Sequence, residues 1–161
     1  MLEILREATK QGRWAEMALS ILAEPRPPAD FQEKFGTYWI EAGHRIREQI
    51  GDDRLLVQVL RCLLPPYEGG SQTLYRGENI ERFEAGQVGL AWCLDVAVAK
   101  MFASGLNAIP SGGVLLVGTF ESAAIVSGPN AHSLYLGENQ FTIDPALCAS
   151  IQALERFSPC T

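Results

Sequence analysis

Residues 63 to 78 read LLPPYEGGSQTLYRGE, and the way this stretch is divided decides the fold. On its N-terminal side the helical pattern RLLVQVLRCLL runs into Pro65 and Pro66, and proline removes a backbone donor and drives the residue before it out of the helical region. PYEGG is a turn composition. TLYR at 73 to 76 then opens a series of short segments rich in β-branched and aromatic residues. The chain therefore divides at about residue 66 into a helical part and a strand-rich part.

Working backward, Leu2, Leu5, Trp14, Met17, Ala18, Ile21 and Leu22 recur at helical spacing and predict one or two amphipathic helices before the PRPP break at 25 to 28. Phe31, Phe35, Trp39, Ala42, Ile46 and Ile50 form the stripe of a second helical segment, with Asp30 as its candidate cap and Gly51 as its stop. Asp52 and Asp53 start the next helix. None of these elements carries an evident catalytic motif.

Working forward, strands are expected at 73 to 76, 87 to 93 (QVGLAWC), 113 to 120 (GVLLVGTF), 133 to 136 (SLYL) and 139 to 145 (NQFTIDP). One helix, DVAVAKMFASG, interrupts them, with Asp95 as cap and Ala97, Val98, Met101 and Phe102 expected inward. Strands grouped with few intervening helices predict an α+β fold with a split, mainly antiparallel sheet, and not a doubly wound one.

The chain has 161 residues, enough for one domain with a sizeable core, so residues 1–161 are expected to form a single domain. Its formal net charge of -6 argues against a broad nucleic-acid footprint, which needs clustered Lys and Arg. No apolar run approaches bilayer-spanning length and MLEILREATK is too charged for a signal peptide, so a cytoplasmic protein is expected, or one delivered into another cell, with no membrane partner. Cys62, Cys93, Cys148 and Cys160 are far apart and no His stands at ligand spacing, so no metal is expected. His44 and His132 read as structural or solvated.

Three pieces stand in order: LYRGE at 74 to 78, GLAWCLDVAVAKMFA at 89 to 103, and GENQFTIDP at 137 to 145. This order resembles the Arg-Ser-Glu class of ADP-ribosyltransferases, the NAD-consuming fold of many bacterial toxins, phage proteins and vertebrate ectoenzymes, over roughly residues 73 to 145. Tyr75, Arg76 and Gly77 match the aromatic-Arg-Gly turn that ends the family's first strand. Ala91, Trp92 and Cys93 fall where the family has Ser-x-Ser/Thr, followed by a helix ending in Phe-Ala, here Phe102 and Ala103. Glu138 to Pro145 has the shape of the Glu-x-Glu strand that ends in proline.

The helical layer over 1–66 lies outside the match; the resemblance implies an ADP-ribosyltransferase-like core over 67–161, with NAD as substrate and a protein as the target of mono-ADP-ribosylation, as in a bacterial or phage effector. Arg76 would hold the NAD phosphates, since a guanidinium can bond them in bidentate fashion. A carboxylate at the nicotinamide ribose would stabilise the oxocarbenium-like state as the glycosidic bond breaks. Two departures bear on this. Aligned through Pro145, the catalytic Glu position is Gln140, while the earlier position of the pair is Glu138. The first motif hydroxyl is Ala91 and the second has become the thiol of Cys93.

Gln140 keeps hydrogen-bonding capacity but not charge, and losing one well-placed electrostatic group costs about 2.7 to 4 kcal/mol of transition-state stabilisation. Three readings follow: a silent module that binds a nucleotide or a partner protein, an enzyme in which Glu138 has taken over, or a glutamate deliberately replaced to silence the activity. Phe120 and Tyr135 are candidate stacking rings. The dinucleotide reading rests on Arg76 and Gln140 facing one nucleotide-sized hollow. Taken singly, Arg76 also fits a surface ion pair, Trp92 a core residue, and Cys93 a small buried hydrophobe.

Overall fold

The computed structural model describes residues 1–148 and 150–160, which fall into two compact units, Met1–Pro66 and Tyr67 onward. The first is all helical: α1 (Leu2–Gln11), α2 (Trp14–Ala23), α3 (Ala29–Ile50) and α4 (Asp53–Leu63). The stripe on α3 is buried as its spacing requires, and Phe35, Ile46, Leu56 and Leu60 join Trp14 in the centre of this unit. Asp30 lies in the first turn of α3 instead of capping it, because Pro28 takes the cap position and Asp30 is two residues further in. Asp52 caps α4 by accepting from the Arg54 and Leu55 amides, and Gly51 ends α3 in the left-handed conformation at φ 69°.

A buried polar node ties the first unit together. Thr9 Oγ1 accepts from Trp14 Nε1 at 2.7 Å and from Tyr38 OH at 2.6 Å, and donates to Leu5 O at 3.0 Å. A hydroxyl has one donor and two acceptor positions, so Thr9 is fully used.

The second unit is α+β. Its strands are β1 (Gln72–Asn79), β2 (Ala91–Cys93), β3 (Gly113–Phe120), β4 (Ile125–Ser127), β5 (Gln140–Ile143) and β6 (Ser150–Phe157), with helices α5 (Ile80–Glu84), α6 (Val96–Ser104) and α7 (Ala131–Tyr135). The strands form one continuous sheet in the order β4-β5-β2-β1-β3-β6, where a split sheet was expected, and every pairing is antiparallel.

Alternation gives the sheet two distinct faces. Leu74, Trp92, Leu116, Phe120, Phe141 and Ile143 build the larger core on one face. Cys93, Leu115 and Tyr75 lie on the other with Ala99 and Ala103 of α6. That helix turns Ala99 and Ala103 inward with Val98 beside them, whereas Ala97 is exposed and so is Met101, at 62%. The cause is the closeness of the backbones. A Cβ on Gly77 would run into Ala99 O and Ala103 N, and one on Gly113 into Ala103 O. Only bare glycine in the sheet and alanine in the helix fit so small a gap.

Three further differences from the sequence expectations have local causes. SLYL forms part of α7, because Asn130 Oδ1 accepts from the Ser133 amide at 2.9 Å and starts a helical turn. Of QVGLAWC only residues 91 to 93 are strand, since the Gly89 amide is drawn to the Glu78 carboxylate at 2.9 Å. Strand β6 had no expected counterpart: its side chains are mostly exposed and it is held by its ladder to β3.

Candidate functional site

The three motif pieces, distant in sequence, come to lie on three adjacent strands. Tyr75 of β1 is the register partner of Cys93 of β2, and Cys93 is the partner of Gln140 of β5. Directly opposed residues of antiparallel strands project to the same side, so Tyr75, Cys93 and Gln140 form one row on the α6 face. Ala91 lies two residues before Cys93 on that face, paired with Thr142. Gly77 is also there, beneath α6.

Arg76 projects the other way. It is one residue from Tyr75 and is paired with Leu116, on the larger-core face. The structure therefore does not bring Arg76 and Gln140 together across one hollow: β-strand alternation places them on opposite faces of the sheet. Trp92 shares the Arg76 face and is a core residue, 1% exposed, with its indole N–H donated to Gly89 O at 2.9 Å and its ring edge-on to Phe120 at 5.0 Å. Phe120 is fully buried, whereas Tyr135 is 86% exposed, so neither ring lies half-open beside the row.

Glu138 and Gln140 do not share a strand. Strand β5 begins at Gln140, and Asn139 takes a left-handed conformation at φ 45°, so the alternation expected of an extended run does not carry back to Glu138. Glu138 follows α7, its amide donating to Ser133 O at 3.0 Å. Both side chains are half-buried, which leaves each partly open to solvent at the end of the row.

Cys93 is a protonated thiol in this setting. Its Sγ lies 3.3 Å from Asp95 O and 3.6 Å from Tyr75 O as a donor, and burial pushes the thiol up from its ordinary value. A raised thiol is a poor nucleophile. Its chemistry here is to pack the row and bond back to the backbone.

On the opposite face is a group that the motif comparison left aside. Glu78 is 1% exposed, and its carboxylate accepts from Arg76 Nε at 2.8 Å and Gly89 N at 2.9 Å on Oε2, and from Asn79 N at 2.9 Å on Oε1. Arg82 Nε of α5 lies 3.5 Å from Oε1. Burial pushes this carboxyl up, but the Arg76 charge and hydrogen bond, with the two backbone amides, outweigh it and hold Glu78 below the usual range. Arg76 Nη1 also donates to Ala91 O at 2.8 Å, closing β1 onto β2. Gly89 leaves room for the guanidinium, since a Cβ there would collide with it. The signal for Glu78 was in LYRGE: a residue two past Arg76 shares its face.

No group of three or more His, Cys, Asp or Glu side chains suited to a metal occurs among the described residues, and none of their helices is long and apolar enough to cross a membrane. No family model, curated protein or solved structure matches the chain.

Proposed function

We propose that the unit from Tyr67 onward is an ADP-ribosyltransferase-like module that takes a nucleotide at the half-open Gln140 end of the Tyr75–Cys93–Gln140 row, with NAD held without Arg76 and transfer of ADP-ribose to a protein target attenuated both by that loss and by Gln140. The observation that carries this reading is the register itself: Tyr75 opposite Cys93, and Cys93 opposite Gln140, unite three motif pieces that the sequence keeps far apart. Gln140 can bond a ribose hydroxyl in this arrangement, and Glu138 beside it is the nearest carboxylate along the chain for an acceptor or for developing positive charge. With Arg76 held by Glu78 on the opposite face, the row has no arginine of its own motif for phosphates. That observation favours a second reading, a silent module that binds a nucleotide or a partner protein without turnover.

The test follows nicotinamide release from NAD by the whole chain beside Gln140→Glu, with NAD binding measured by calorimetry. A gain of roughly a hundredfold or more in the variant is the expected result for an attenuated transferase. Binding without turnover in both proteins selects the silent module, and neither binding nor turnover in either refutes the NAD reading.

A further inference from the structure

Helix α2 is the apolar exception of the helical unit. Its sequence, WAEMALSILA, carries one charge, Glu16, and one further polar residue, Ser20. The other three helices turn charge outward, as at Arg6 and Lys10 of α1, Lys34 and Arg45 of α3, and Arg54 and Arg61 of α4. A helix that is apolar around most of its circumference is ordinarily buried around most of it. In α2 only Trp14 and Ala18 are buried. Leu19 is 65% exposed, Ala15 and Ala23 are exposed with it, and Met17, Ile21 and Leu22 are half-buried. Ala15, Leu19 and Ala23 stand four residues apart, so they lie along one face. Opposite charges bracket that face: exposed Arg13 immediately before the helix and exposed Glu24 immediately after it. Arg13 reaches only the exposed neighbours Gln11 and Glu16, and Glu24 has no ion pair among the described residues. Arg26, two residues further on, is drawn to Leu64 O at 3.1 Å, at the end of α4.

We infer that this face is the contact between two copies of the chain, packed about a twofold axis with their α2 helices antiparallel. The order of the charges selects that arrangement. Reversing one helix on the other at Leu19 sets Leu19 against its symmetry mate, Ala15 against Ala23, and Arg13 within a residue of Glu24. The twofold makes each of the last two contacts twice. A parallel pair would instead set Arg13 on Arg13 and Glu24 on Glu24, where like charges repel. Antiparallel helices also bring the positive end of each macrodipole beside the negative end of the other. The small side chains on either side of Leu19 let the two backbones approach. A helix of ten residues is about 15 Å long, so the contact is small and the dimer forms and dissociates with concentration. The inference concerns the helical unit and does not rest on the nucleotide reading of the other.

The experiment is sedimentation equilibrium of the full chain over a concentration series reaching about 1 mM, beside Leu19→Lys and Glu24→Arg. Orientation is read separately, by treating a mixture of Ala15→Cys and Ala23→Cys proteins with a short thiol crosslinker and mapping the linked peptides by mass. All four altered side chains are exposed, so the variants report on association and not on folding. The expected result is a reversible monomer–dimer equilibrium, weakened at least roughly tenfold by Leu19→Lys, which removes apolar contact at the twofold from both copies. Glu24→Arg should weaken it by roughly threefold or more, since each new arginine meets Arg13 of the other copy, and the crosslink should join 15 to 23. A chain that stays monomeric throughout the series overturns the inference, because something other than a second copy then covers α2. So does a dimer indifferent to Leu19→Lys or to Glu24→Arg, or one that links 15 to 15 and 23 to 23.

Discussion

Replacing Glu78 by glutamine is the most searching perturbation of the strand-rich unit. The carboxylate accepts three hydrogen bonds, from Arg76 Nε and Gly89 N on Oε2 and from Asn79 N on Oε1, and Arg82 Nε stands 3.5 Å from Oε1 as a second ion-pair partner. Glutamine keeps one acceptor oxygen. Wherever that oxygen points, the amide NH2 opposes one backbone N–H and one guanidinium that had been satisfied. Removing one partner of a buried ion pair costs about 3 to 5 kcal/mol, and an orphaned buried donor about 1 to 3 kcal/mol. These costs overlap, and Arg76 regains some water because its side chain is 19% exposed, so the expected loss is about 3 kcal/mol.

The assay is urea unfolding followed by amide exchange at Gly89 and Asn79, because a site-resolved signal separates this unit from the helical one. Acid supplies an independent arm. Glu78 titrates below the ordinary 4.5 in the folded protein, so its stabilisation is complete above that value and is lost as pH falls through the lower folded value. The stability gap between wild type and variant should therefore narrow on acidification. A loss under about 1 kcal/mol, with both amides exchanging at wild-type rates, would refute the account of Glu78 as the anchor of this face.

Three other expectations follow from the packing. Gly77→Ala should destabilise the sheet unit by about 1 to 3 kcal/mol or more, since its methyl meets helix backbone that cannot rotate aside, whereas Gly70→Ala, with open space around it, should be near neutral in urea unfolding. Thr9→Val should cost the helical unit about 1 to 3 kcal/mol by leaving Trp14 Nε1 and Tyr38 OH without their acceptor, and a change within 0.5 kcal/mol by tryptophan fluorescence would contradict that role. Mass spectrometry of native protein treated with iodoacetamide near pH 8 should find Cys93 modified more slowly than the half-buried Cys62 and Cys160, because it is buried and its thiol is raised above the ordinary 9.0. Preferential labelling of Cys93 would show that its pocket opens.

The elements legible in the sequence were those whose own residues settle their structure. The stripe from Phe31 to Ile50, the caps at Asp52 and Asp95, and the apolar run of β3 are local signals, and each element formed where those signals put it. The rest depends on distant partners. Strand β6 owes its existence to the β3 ladder and shows no buried face of its own. Of the α6 residues expected inward, Val98 packs against the sheet while Ala97 and Met101 are exposed; the closest approach falls to Ala99 and Ala103, because the backbone at Gly77 and Gly113 leaves no room for a larger side chain there. At the site, sequence order brought out Tyr75, Cys93 and Gln140, which share a row, and it grouped Arg76 with them. Strand parity, which needs the register, sends that side chain to the opposite face, where Glu78 awaits it.

The seat of α6 on bare backbone has a mechanical consequence. Side chains ordinarily act as a compliant layer that lets a helix slide by rotamer changes, but between Ala103 and the glycines of β1 and β3 no such layer exists. The helix and these two strands are thereby geared together. A displacement of β1 at Tyr75, whether imposed by an occupant of the row or by a change at Arg76, would pass to α6 undamped, and its outer face, with Met101 in solvent, would register the movement.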